Sequence, residues 1–142
     1  MTQQVLNSTG AAKATGAGSS EVAYAEKTTD TSITGTSAAG STTIVTAPAF
    51  TADGTSTYMV HVQFRGCNRG TSYLRSTLFL DGTYVQDLHE NPSTTQVPLS
   101  LASRVTPAAG SRTYSLRAYV DAGTGTINAT GFGPTSIRVV KV

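Results

Sequence analysis

The most regular hydrophobic stretches of this chain alternate apolar and polar residues with a period of two, and no stretch carries a convincing 3.6-residue period of an amphipathic helix. In "STYMVHVQF", Tyr58, Val60, Val62 and Phe64 share one parity and Thr57, Met59, His61 and Gln63 the other. In "TYSLRAYV", Tyr114, Leu116, Ala118 and Val120 face one way, and Thr113, Ser115, Arg117 and Tyr119 the other. Successive strand side chains point to opposite faces of a sheet, so each pattern predicts a strand with one buried face. "EVAYAEKT", "STTIVTAPAF", "VPLSLASRV" (Val97, Leu99 and Leu101 on one side with Ser103) and "TSIRVVKV" add further strands with a β-branched bias. The segment "AAKAT" has helical propensity but is too short and too closely flanked by Gly to form a helix.

Turn chemistry punctuates these runs at Asp53-Gly54, Asp81-Gly82 and Ala108–Gly110. "STLFLDGTYVQDL" predicts a hairpin closed by a type I′ turn at Asp81-Gly82. "RGCNRGTSYLR" reads as a Gly-broken, Arg-rich loop, and Pro92 and Pro98 flank another. "GTGT" at Gly123–Thr126 reads as a hairpin turn, since a phosphate loop would need a helix start and a Lys. Seven to nine short strands with turns every ten or so residues predict an all-β, antiparallel β-sandwich or jelly roll. Residues 1–20, small, polar and Gly-rich, form an N-terminal arm, and residues 21–142 form the domain. The arm is either a floppy terminus or a tether ordered on a partner surface, with Val5 and Leu6 as its apolar anchors.

Leu, Ile, Val and Phe together make up 28 of the 142 residues, a thin supply for a core, but the formal charge of +2 is too small to favour disorder. A small domain with a thin core gains from burying surface between subunits, so oligomerisation is expected. The final strand ends on Val142, which predicts an end buried in the sheet or along a symmetry axis.

Little in the chain resembles a reaction centre. Ten basic and eight acidic residues are spread along it, which does not predict nucleic-acid binding, and no apolar run reaches the length of a membrane span. The first residues lack the basic start and apolar stretch of a secretory signal, so synthesis in a cytoplasm is expected. The single cysteine, Cys67, excludes an intrachain disulfide and a Cys-based zinc site. Arg65 and Arg69 flank it and would lower its pKa, but no base accompanies it, and a small packing residue is the plainer reading. His89 with Asp87 and Glu90 in "DLHEN" offers metal-ligand chemistry, although three neighbouring loop residues rarely converge, and a solvated acidic loop is the alternative. Neither G-x-S-x-G nor H-E-x-x-H occurs, and no cofactor motif is present, so neither an enzyme nor a bound cofactor is expected. Arg65, Arg69 and Arg75, with Tyr73 and Tyr119 as exposed aromatics, are the candidate surface-binding residues. Arg forks and aromatic faces suit carboxylate and sugar recognition, and an ordinary solvated loop is the alternative.

Two stretches carry a family resemblance. "AYAE…IVTAPAFTADGT" near the start and "TPAAGSRTYSLRAYVDAGTGTI…IRVVKV" at the end resemble small jelly-roll domains of tailed bacteriophages, over roughly residues 21–142. The resemblance is made of strand and turn residues, and brings no catalytic motif. It implies a jelly roll of the C1q and tumour-necrosis-factor type, a homotrimer displayed on the virion surface after synthesis in the bacterial host's cytoplasm. Such domains serve as capsid decorations, head fibres and tail-associated adhesin tips. An arm of about twenty residues with no Gly-X-Y stem favours attachment to the major capsid protein lattice, where three arms per trimer multiply a weak contact. The alternative is a tail-associated tip that meets tail proteins and a host surface glycan or protein.

Overall fold

The computed structural model describes residues 19–64, 66–69, 73–92 and 94–142, with residues 66–69 as backbone only. Eight strands form two four-stranded antiparallel sheets. The first holds, in order across the sheet, β1 (Ser20–Lys27), β13 (Thr135–Lys141), β5 (Tyr58–Phe64) and β9 (Leu99–Val105). The second holds β3 (Thr42–Thr46), β11 (Tyr114–Val120), β7 (Leu74–Leu80) and β8 (Thr83–Asn91). Two small sheets turn the corners: β2 (Thr31–Ile33), β12 (Gly125–Asn128) and β6 (Gly66–Arg69) in one, β4 (Phe50–Ala52) and β10 (Gly110–Arg112) in the other. No helix occurs among the described residues.

The pairing has a nested order. β7 pairs with β8, β5 with β9, β4 with β10, β3 with β11, β2 with β12 and β1 with β13. The chain is therefore one long antiparallel ribbon whose tip is the Asp81-Gly82 turn, rolled so that successive main pairs fall in opposite sheets. That is a jelly-roll β-sandwich. The tip has the conformation its residues predict: φ is 51° at Asp81 and 81° at Gly82, the two positive values of a type I′ turn.

Inward parities match the alternation in the sequence. Tyr58, Val60, Val62 and Phe64 from the first sheet meet Tyr114, Leu116, Ala118 and Val120 from the second, all 2% exposed or less. Phe50 bridges the sheets at one end, its ring 5.1 Å from that of Tyr58 and 6.2 Å from that of Tyr114. Burial pushes the Tyr114 hydroxyl up to about 12.

Four expectations are corrected. The described residues hold thirteen strands instead of seven to nine, because each corner of the roll makes its own short ladder. Gly66–Arg69 is a strand in a segment read as loop, since its backbone finds partners on β12. Gly123–Thr126 is not a hairpin turn: β11 and β12 lie in different sheets, and Gly125 and Thr126 already belong to β12. Val142 is 50% exposed on the single chain and is not buried in the sheet, although its N–H donates to the Thr57 carbonyl.

Two substitutions test this account by urea denaturation. Leu116→Ala, at a fully buried site, is expected to cost about 2–5 kcal/mol. Gly82→Ala adds no steric contact but holds alanine at positive φ, and is expected to cost about 1–2 kcal/mol. An unchanged midpoint for Gly82→Ala would remove the turn from its place as the ribbon's tip.

Candidate functional site

Three of the five surface residues singled out in the sequence come together on the outer face of the second sheet. Strand register places Tyr119 of β11 opposite Arg75 of β7, and Arg75 opposite Glu90 of β8, in one row across three strands. The Arg75 guanidinium lies 5.5 Å from the centre of the Tyr73 ring and 5.8 Å from that of Tyr119. Its Nε donates to Glu90 Oε2 at 2.5 Å and one terminal nitrogen donates to Asp121 Oδ1 at 2.9 Å. These bonds, chiefly those to Glu90 and the Tyr119 hydroxyl, hold the guanidinium well above its ordinary pKa. The result is a cation seated between two rings and two carboxylates.

The two aromatics differ in what they offer. Tyr73 is 42% exposed beside the Arg75 guanidinium. Tyr119 is only 9% exposed, which corrects its reading as an exposed aromatic. It points out of the core as its parity predicts, but the Arg75 side chain covers it. Arg69 has its backbone opposite Gly125 on β12, while its side chain, Arg65, Val5 and Leu6 lie outside the described residues. The sequence reading missed Glu90 and Asp121 as partners of Arg75. They are 15 and 46 residues away along the chain, and only the strand register joins them.

His89 lies in β8 opposite Ser76, not in a loop, because the hairpin strand continues to Asn91. The strand displays Glu90 toward Arg75 and Asp87 toward Thr77. No group of three His, Cys, Asp or Glu side chains able to hold a metal occurs among the described residues.

The remaining carboxylates serve the fold. Asp81 Oδ2 accepts from Arg112 at 2.8 Å and its Oδ1 from the Thr113 N–H at 2.8 Å, so the Arg112 guanidinium beside it holds its pKa below the usual range. Asp53 accepts from the Ser56 hydroxyl and N–H, the Thr55 N–H and Lys141 Nζ, and Ser56 is the largest cause of its lowered pKa. Asp30 caps the β12–β13 connection by accepting from the N–H groups of Ala129 and Thr130, the first of which lowers its pKa most. Glu21 pairs with Arg138 at 2.8 Å, Glu26 accepts from the Tyr24 hydroxyl at 2.6 Å, and Asp87 hydrogen-bonds the Tyr84 hydroxyl. All eight acidic residues of the chain are thus engaged.

No family model and no curated protein matches the sequence. Among solved structures, CBM35 from Paenibacillus barcinonensis is 10% identical with a TM-score of 0.33, over 84% of this chain and 97% of that one. A family 35 carbohydrate-binding module from Clostridium thermocellum is 16% identical with a TM-score of 0.34, over 87% of this chain and 98% of that one. Neither likeness adds to what the strand order itself establishes.

The lowered pKa values of Asp30, Asp53 and Asp81 predict a pH dependence. An unfolded aspartate takes up a proton near pH ~4, while the folded ones resist until lower pH. The unfolded state therefore binds more protons below that point, and stability falls with pH. The urea midpoint should hold steady above about pH 5 and drop on further acidification. Asp81→Asn should start from a lower midpoint and fall less steeply, and parallel curves for the two proteins would refute the role given to Asp81.

Proposed function

We propose that this chain is a non-catalytic structural module of a bacteriophage virion, a capsid-decorating or head-fibre homotrimer attached to the major capsid protein lattice through residues 1–20. The observation that supports a scaffold over an enzyme is the engagement of every carboxylate in turns, ladders and ion pairs. Glycoside hydrolysis and most acid–base chemistry require a pair of carboxyl groups free to face a substrate. Here the same groups pin the ribbon's tip, its corners and its outer face. The setting on a virus particle rests on the resemblance of residues 21–142 to phage jelly-roll domains.

A second reading, a tail-associated tip that recognises a host surface glycan or protein, draws on the Tyr73 ring exposed beside Arg75. The Arg75 fork already holds Glu90 and Asp121, so an anionic partner would have to displace an ion pair before using it. That cost favours the scaffold reading.

Removing residues 2–19 is expected to leave a trimer by light scattering that no longer coats naked capsids. A truncated chain that coats capsids as well as the full one overturns attachment through the arm, and a monomeric mass for the full chain overturns the trimer. Location at the tail in imaged virions, with purified protein that blocks infection, would establish the second reading instead.

A further inference from the structure

The outer face of the first sheet differs from that of the second in one respect. Two adjacent rows cross its four strands: Tyr24, Arg138, His61 and Ala102 in one, Glu26, Ser136, Gln63 and Ser100 in the next. Where they meet, the surface sinks into a depression of about 290 Å³ lined by Tyr24, His61, Gln63, Ser100, Ser136 and Arg138. Ser136 and Ser100 contribute short side chains between the longer Tyr24, Arg138, His61 and Gln63. The walls are held in place, because the Tyr24 hydroxyl donates to Glu26 at 2.6 Å and Arg138 Nε pairs with Glu21 at 2.8 Å.

The side chains of His61, Gln63, Ser100 and Ser136 make no hydrogen bond with any described residue. Together they supply hydroxyl, amide and imidazole donors and acceptors to one concavity on four hydrogen-bonded strands, a rigid platform for recognition. Glu21 pairs with Arg138 at its rim, and Glu26, bonded to the neutral Tyr24 hydroxyl, keeps its negative charge, so the depression has no net pull on an anion. Tyr24, 44% exposed, adds a ring face at one wall. Polar groups in several directions beside an aromatic face match a ligand with ring hydroxyls around a C–H face.

We propose that this depression is a saccharide-binding site, selective for a neutral sugar, on the opposite side of the sandwich from Arg75. The site goes beyond the scaffold role and does not depend on where the protein sits in a particle.

The test is amide chemical-shift mapping of the full chain with maltotriose, cellotriose and triacetylchitotriose, and with trigalacturonate as the anionic counterpart. At least one neutral trisaccharide is expected to move resonances of Tyr24, His61, Gln63, Ser100, Ser136 and Arg138 and leave those around Arg75 in place. Trigalacturonate should move them less at equal concentration. Tyr24→Ala is expected to weaken binding by about three- to tenfold, and Tyr24→Phe, which keeps the ring, to stay within about twofold of the parent. Thr43→Ala, on an exposed position of β3 in the other sheet, should bind as the parent does. Absence of shifts with all three neutral sugars, shifts confined to the Arg75 side, or equal binding by Tyr24→Ala overturns the site. So does finding the same face covered by a second copy of the chain in solution.

Discussion

Everything in this fold is counted from the Asp81-Gly82 turn. A nested ribbon has only one tight turn, and the register of each later pair follows from the pair before it. A slip of one residue at the tip would exchange inward and outward faces along the roll. Asp81 does more than adopt positive φ. Its N–H donates to the Thr113 carbonyl and its carboxylate accepts from Thr113 and Arg112, so the tip is fastened to the junction of β10 and β11. Arg112 in turn donates to the carbonyls of Ala108 and Ala109, which draws the neighbouring turn into the same assembly. One aspartate thereby ties the closest pair of the ribbon to the strand that lies at the centre of the second sheet.

The two outer faces divide their roles from that common frame. On the second sheet Tyr119, Arg75 and Glu90 bond to one another in one row, and in the next Arg117 is held 4.4 Å above the Phe79 ring. Rows on the first sheet leave four polar side chains with no hydrogen-bond partner among the described residues around a concavity. A partner at the second face must compete with bonds already made, whereas a partner at the first face meets donors and acceptors whose competitor is water. This difference lies in pairing, not in composition, for both faces carry Tyr, Arg and Glu.

Much of the fold was legible because alternation reports burial directly. The inward parities of β5 and β11, the type I′ hairpin and the strands at Glu21, Thr42 and Thr135 all follow from patterns only a few residues long. What the sequence hid depends on distant partners. β6 is a strand only because β12 offers it a ladder, and β12 is placed by β2, more than ninety residues earlier in the chain. His89 was read as loop because "DLHEN" is polar, yet an edge strand at the surface has no need of apolar residues. For the candidate sites, Tyr73 and Arg75 were visible as residue types. Their neutralisation by Glu90 and Asp121, and the meeting of Tyr24 with His61 and Ser100, arise from register across strands that no local window contains.

The thin core finds part of its compensation outside the sandwich. On the outer face of the second sheet Phe79 is 3% exposed and Thr77 is fully buried, values usual for an interior. Arg117 covers Phe79, Tyr84 packs edge-on against the same ring at 5.9 Å, and Arg75 covers Tyr119. Cation–π contacts of this kind contribute about 0.5–2 kcal/mol each, most where the cation is shielded from water. Among the described residues the buried Arg117 Nε finds no hydrogen-bond partner, and its guanidinium rests 4.4 Å from the centre of the Phe79 ring. Long basic side chains folded over aromatic rings therefore give the sheet a second apolar layer on a face that the sequence pattern marks as polar. A domain short of Leu and Ile can shield both sides of a sheet in this way without a partner subunit on that face. Any surface reserved for another molecule is then best sought on the sheet that lacks such a cover.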